Sequence, residues 1–86
     1  MHQYDTTPVF RTTDLCLAST LLCLGKAICG LEKQNDNRSV FLFPLDDELS
    51  LSLNSFWANE LRIEPKEFFA SLKTAKTRLY QTTQYD

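Results

Sequence analysis

The sequence is poor in glycine, proline and histidine, and these shortages exclude several classes of protein. Two glycines and three prolines among 86 residues are too few for a disordered or low-complexity chain. The single histidine, His2, lies at the N-terminus, and the three cysteines show no CxxC spacing. A zinc site needs about four ligands at characteristic spacings, so we expect no metal site. We interpret Cys16, Cys23 and Cys29 as small buried apolar residues in a reducing cytosol.

The residue combinations that carry catalysis are also missing. General acid–base catalysis usually needs a histidine or a carboxylate in a cleft, and nucleophilic catalysis needs a base beside the nucleophile. The chain has no imidazole besides His2 and no glycine-rich phosphate loop. Three adjacent acids, Asp46, Asp47 and Glu48, fit the start of a helix better than an acid–base or metal site. We therefore expect that the protein is not an enzyme and that it binds neither a cofactor nor a small-molecule substrate.

Long hydrophobic runs are absent as well. The longest apolar run, residues 15–24, contains Ser19 and Thr20 and is shorter than the ~20 residues that span a bilayer. No basic segment precedes an apolar one at the N-terminus, so we expect no signal peptide. These observations predict a cytoplasmic protein that does not associate with membranes.

The residues that are present predict one small domain of the α+β class. The apolar fraction is 43%, and ten aromatic residues can fill a small core with few side chains. We expect a flexible lead-in over residues 1–8, a compact domain over residues 9–80 and a tail over residues 81–86. The predicted order is α-β-β-α-α, with a β-hairpin packed against the helices.

Local signals define these elements. Asp14 can cap a first helix that stops at Gly25, and residues 35–37 (Asn-Asp-Asn) suit the turn of a hairpin. The hairpin strands cover residues 26–34 and 38–43, and residues 9–11 form a short extended piece. The three acids at 46–48 open a second helix, and Pro65 occupies the favoured first position of the last one. The predicted core consists of Leu15, Leu21, Leu22, Val40, Leu42, Phe56, Trp57, Phe68, Phe69 and Leu72.

Both faces of the second hairpin strand are apolar. Val40 and Leu42 point to one side of the strand, and Phe41 and Phe43 point to the other. Either helices cover both faces, which we favour, or one face meets a protein partner. In the second case Phe41, Phe43 and Trp57 are the candidate interface residues.

The last helix combines an apolar face with a basic edge. Lys66 and Lys73 lie within about 20° of each other on a helical wheel, and Lys76 and Tyr80 lie within about 80° of that line. Clustered cations beside an aromatic ring suit phosphate neutralisation and base stacking, although a solvated helix face often carries lysines too. The candidate nucleic-acid-binding residues are Arg62, Lys66, Lys73, Lys76, Arg78 and Tyr80.

Charge is divided unevenly along the chain. Residues 31–60 carry a net charge of −4, whereas residues 61–86 carry +2. This division is compatible with a partner of either sign, or with self-association. We therefore expect a small non-enzymatic binding module, with nucleic acid ahead of protein as the partner. The alternative is a protein-interaction module: a homodimer, an adaptor, or an inhibitor encoded by a phage or mobile element.

The strongest motifs are TTDLCLASTLLCLGK, the strand VFLF, the pair FW and the final PKEFFASLKTAKTRLY. In this pattern the chain resembles a family of short prokaryotic and phage domains of unknown function over residues 9–80. The family tends to have tyrosine where Cys16 stands here. The resemblance implies a shared fold and no catalytic residues. Basic residues are frequent on the family's final helix and match Lys73, Lys76 and Arg78 in kind, which favours an anionic partner.

Overall fold

The computed structural model describes residues 8–35 and 38–84, with side chains through residue 81. Three strands and three helices follow one another in the order β-α-β-β-α-α, which confirms the α+β class. They are β1 (Val9–Thr12), α1 (Leu15–Cys23), β2 (Gly30–Asn35), β3 (Arg38–Pro44), α2 (Asp47–Trp57) and α3 (Pro65–Gln84).

The strands form one antiparallel sheet in the order β1-β3-β2. The predicted order lacked β1, since residues 9–11 were expected to be only a short extended piece. In the structure Val9 pairs with Pro44 and Thr12 with Phe41, so β1 is an edge strand of the sheet. Four residues are too few to show a period of two, and it is the pairing with β3 that makes this segment a strand.

The strand β2 is shorter than predicted. It begins at Gly30, whereas we expected it to begin at residue 26. Residues 26–29 instead connect α1 to the sheet, and the Cys29 N–H donates to the Leu42 carbonyl at 2.8 Å. Residues 36 and 37 of the predicted turn lie outside the described residues.

Capping explains where α1 begins and ends. The Asp14 carboxylate accepts a hydrogen bond from the Leu17 N–H at 3.1 Å, as the sequence predicts. At the other end Gly25 has a φ of 92°, and the N–H of Lys26 donates to the Leu21 carbonyl at 2.9 Å. A backbone with positive φ lets the chain turn back onto the last helical carbonyls, which is why glycine suits this position.

The core lies between the helices and one face of the sheet. Phe41 and Phe43 are 1% and 0% exposed, so the alternative in which these two residues form a protein interface is wrong. Their face of β3 packs against helices because α1 is apolar on nearly every side. The fully buried cluster comprises Leu17, Ala18, Leu21, Phe41, Phe43, Leu49 and Ala75.

On the opposite face of the sheet Val9, Arg11 and Glu32 are exposed, so our expectation that helices cover both faces is wrong. Arg11 on β1 and Glu32 on β2 form an ion pair at 3.0 Å that bridges β3, and both side chains are about half exposed. Val40, on the same face, is nevertheless only 5% exposed. The apolar stems of long charged side chains can cover such a residue while their charged ends stay in water.

The remaining helices begin and end at residues with clear roles. The Asp46 carboxylate caps α2 by accepting from the Leu49 N–H at 2.8 Å, and Glu64 caps α3 by accepting from the Glu67 N–H at 2.9 Å. After α2, Asn59 adopts a φ of 61°, and asparagine tolerates this left-handed conformation better than most residues. The last helix continues to Gln84, into the segment 81–86 that we expected to follow the domain as a tail.

Several burial expectations need correction. Trp57 and Phe69 are 62% and 56% exposed, although we expected both in the core. Cys16 and Cys29 are exposed as well, and only Cys23 is partly buried. Of the other predicted core residues, Leu21 and Val40 are buried, and the following are partly buried: Leu15, Leu22, Leu42, Phe56, Phe68 and Leu72. Residues 1–7 of the expected lead-in lie outside the described residues.

Candidate nucleic-acid interface

One face of α3 carries three lysines and two aromatic rings. Its members are spaced by three and four residues, so they fall within an arc of about 80° at 3.6 residues per turn. All five side chains are exposed, including Phe69 at 56% and Tyr80 at 66%. We call this set the α3 stripe; it consists of Lys66, Phe69, Lys73, Lys76 and Tyr80.

The neighbouring face of α3 anchors the helix to the rest of the domain. Ala75 is fully buried, and Leu79 packs against the same core cluster. Phe68 and Leu72 are partly buried on this side. Because these residues hold the helix in place, the α3 stripe is not needed to bury apolar surface and remains open to solvent.

Within the stripe a lysine lies over an aromatic ring. The Lys73 Nζ atom is 4.9 Å from the centroid of the Phe69 ring. An exposed cation–π contact of this kind contributes about 0.5–1 kcal/mol, so it orients the two side chains without locking them together. The result is a positive charge held next to an exposed aromatic surface.

The stripe contains no acidic residue. Glu67 is the one acid in the sequence of α3, and it lies about 140° around the helix from the centre of the stripe. Its position in the first turn suits the positive end of the helix dipole. Three lysines on the other side therefore form a patch of one sign along the helix.

The structure brings together four of the six predicted nucleic-acid-binding residues. Lys66, Lys73, Lys76 and Tyr80 belong to the α3 stripe. Arg62 lies in the preceding connection, where its guanidinium donates to the carbonyls of Asn59 and Leu61 at 3.4 and 2.9 Å. Arg78 is partly buried and lies about 160° around the helix from the stripe.

The sequence reasoning missed Phe69 as a member of this surface. It placed both residues of the Phe68-Phe69 pair on the apolar face, although adjacent helical residues point about 100° apart. Phe69 is three residues after Lys66 and four before Lys73, and this spacing was the available signal.

Of the predicted protein-interface residues, only Trp57 reaches the surface. Its ring meets the Phe56 ring edge to face, with centroids 4.9 Å apart and an angle of 83° between the planes. Leu51 is also exposed on α2, at 67%. The two side chains point about 120° apart around the helix, so they do not form one continuous apolar patch.

Shallow depressions of about 280 Å³ lie elsewhere on the described surface. One is lined by residues that do not titrate: Thr20, Phe56, Asn59, Leu61 and Ile63. Another lies beside the ion pair of Arg11 and Glu32. In residues 8–35 and 38–84, no three His, Cys, Asp or Glu side chains are grouped so that they could hold a metal ion. No helix in that part of the chain has the length and apolar character needed to cross a membrane.

These features define a small α+β domain whose most distinctive surface is a basic and aromatic helix face. The domain of unknown function DUF5659 matches residues 8–81, and the chain belongs to this family. This confirms the resemblance to a family of unknown function, while the phage origin stays a prediction. No curated protein and no solved structure matches the chain.

Proposed function

We propose that this domain is a non-enzymatic module that binds the phosphate backbone of nucleic acid through the α3 stripe. The observation that carries the proposal is the single-signed row of Lys66, Lys73 and Lys76 on an exposed helix face. Each phosphate that a lysine neutralises releases counterions, and this release favours binding most strongly at low salt. The net charge of −2 does not oppose this, because the acids are concentrated elsewhere in the sequence.

The proposal includes a location. Nucleic-acid binding of this kind would take place in the cytoplasm, and the sequence pattern favours a prokaryotic or phage source. Neither a cofactor nor a small-molecule substrate is part of the proposed activity.

The test is a salt titration of oligonucleotide binding by fluorescence anisotropy. Lys73→Gln combined with Lys76→Gln should weaken binding to every sequence. The slope of the logarithm of the binding constant against the logarithm of the salt concentration should also become less steep. We expect a change of about 1.4 on single strands and about 1.8 on duplex DNA. The matched control is Lys33→Gln with Arg38→Gln, which removes the same charge from the hairpin and should leave the slope unchanged. Absence of salt-dependent binding by the wild type at low ionic strength would overturn the proposal.

A protein partner is the second candidate, and Trp57 is the observation that favours it. Folding usually buries most of a tryptophan side chain, whereas Trp57 is 62% exposed. Tryptophan is also enriched among the residues at the centre of protein interfaces. Light scattering after size-exclusion chromatography would reveal self-association. Loss of the dimer in Trp57→Ser would then assign the interface to α2.

A further inference from the structure

We infer that the ligand of the α3 stripe is single-stranded nucleic acid, with Phe69 and Tyr80 stacking on bases and Lys73 and Lys76 contacting phosphates between them. This inference rests on the proposed function and narrows its ligand. It follows from the two exposed rings, which neutralisation of phosphate charge does not require.

The order of residues along the helix matches such a ligand. Phe69 and Tyr80 are eleven residues apart, which corresponds to about 16.5 Å at 1.5 Å per residue. Lys73 and Lys76 lie between them, at about 6 and 10.5 Å from Phe69 along the axis. At about 3.4 Å per stacked nucleotide the two rings span about five nucleotides, and fewer if the strand is extended. A short single strand of this size falls within the ~4–16 nucleotides that small single-strand binders cover.

Duplex nucleic acid fits the rings less well. Bases in a duplex stack on each other and present their edges in the grooves, so their faces are not accessible to a side chain. Splayed bases of a single strand offer these faces, and aromatic side chains stack on them with little regard to sequence.

The contact between Lys73 and Phe69 supports the same arrangement. With Nζ 4.9 Å from the ring centroid, the lysine lies over one face of the ring. A base that stacks on the other face leaves the ammonium group able to contact a phosphate of the same strand. One turn of helix thus offers both an aromatic and an ionic contact to one short strand.

A second copy of the chain is a poor occupant of the stripe. The three-and-four spacing is that of a coiled-coil seam, but the seam positions hold Lys66, Lys73 and Lys76. Pairing two such helices would bring like charges together in the interface, where they repel each other. The row of lysines therefore favours a polyanion.

Three probes of equal length separate stacking from charge. They are a 12-nucleotide oligothymidine, an abasic strand with the same number of phosphates, and a 12-base-pair duplex. If bases stack on the rings, the oligothymidine should bind about tenfold or more tightly than the abasic strand. It should also bind more tightly than the duplex at the same salt concentration.

Variants test the two rings directly. Phe69→Leu and Tyr80→Leu keep an apolar, helix-compatible side chain but remove the π face. Each should weaken oligothymidine binding about five- to tenfold and leave abasic-strand binding unchanged. The control Leu51→Ala alters an equally exposed apolar residue on α2 and should change neither. Circular dichroism verifies that every variant is folded.

The outcomes distinguish this inference from the proposed function. Equal binding of oligothymidine and abasic strand, with no effect of Phe69→Leu, would overturn the stacking contacts while backbone binding stands. Tighter binding of the duplex would likewise overturn the single-strand assignment alone. If none of the three probes binds, or if polyglutamate binds more tightly than all of them, both proposals fail.

Discussion

Helices α1 and α3 pack against each other but differ in the fraction of their residues that is buried. Five of the nine residues of α1 are buried, and even its polar members Ser19 and Thr20 lie inside. Their hydroxyls donate to the carbonyls of Leu15 and Cys16 four residues earlier, each at 2.8 Å. In α3, by contrast, Ala75 is the one fully buried residue among the side chains described.

The difference separates the side chains that stabilise the fold from those that stay exposed to solvent. A helix that is apolar on most sides packs into the core, and most of its side chains affect stability. A long helix that contacts the core along one face leaves the rest of its surface free. Substitutions should therefore have large effects on stability in α1 and small ones in the α3 stripe.

The largest effect is expected for Leu21→Ala in α1. Leu21 is fully buried, so the truncation should lower the free energy of unfolding by about 2–5 kcal/mol. Chemical denaturation monitored by circular dichroism measures this loss. The matched change Leu51→Ala, at an exposed leucine, should stay within about 0.5 kcal/mol. Equal losses in the two variants would contradict the division between core and surface.

The contact between α1 and α3 should tolerate little extra side-chain volume. Ala75 is 0% exposed in a buried cluster that also contains α1 residues, so Ala75→Leu should destabilise the protein by about 1–3 kcal/mol. Thermal denaturation would detect this as a lower midpoint temperature. Ala70→Leu, at an exposed position of the same helix, is the control for the side chain itself. A stable Ala75→Leu variant would show that the interface has unfilled space.

Loss of the α1 cap should have an intermediate effect. Asp14→Ala leaves the Leu17 N–H without its partner, and we expect a loss of about 1 kcal/mol. Asp14→Asn keeps an acceptor of similar capping strength and should be nearly neutral. If both variants lose the same stability, the negative charge rather than the hydrogen bond is what matters at this position.

The smallest effect on stability is expected in the α3 stripe. Replacing Lys73 and Lys76 by glutamine should change the free energy of unfolding by no more than about 0.5 kcal/mol per residue. The same double variant should lose oligonucleotide affinity. A large loss of stability would mean that these lysines support the fold, and the loss of binding could then not be assigned to direct contacts.

The elements encoded by short-range signals could be predicted from the sequence. Asp14, Gly25, Asp46 and Pro65 act within one helical turn, and the structure has helix ends at or next to all four. Strand β1 was not predictable in this way, because its four residues become a strand only through pairing with β3, some thirty residues later in the chain. Local pattern contains no information on that pairing.

The candidate site could be predicted only in part, for a related reason. The lysines were found because charged residues on a helix are expected to face water. Phe69 and Trp57 were misplaced because large aromatic residues are expected in the core, and hydrophobicity does not indicate which of two adjacent rings points inward. Phe41 and Phe43 were open to two interpretations until the position of α1 was known.

The ion pair between Arg11 and Glu32 has a consequence for how binding can be measured. Both groups are about half exposed, so their mutual attraction is screened by salt and contributes little to stability. Charge screening does not weaken the apolar contacts of Val40 or of the buried cluster beneath the sheet. Raising the salt concentration should therefore dissociate the proposed polyanion from α3 while the protein stays folded. A decrease in oligonucleotide anisotropy during a salt titration then reports dissociation of the complex and not denaturation of the protein.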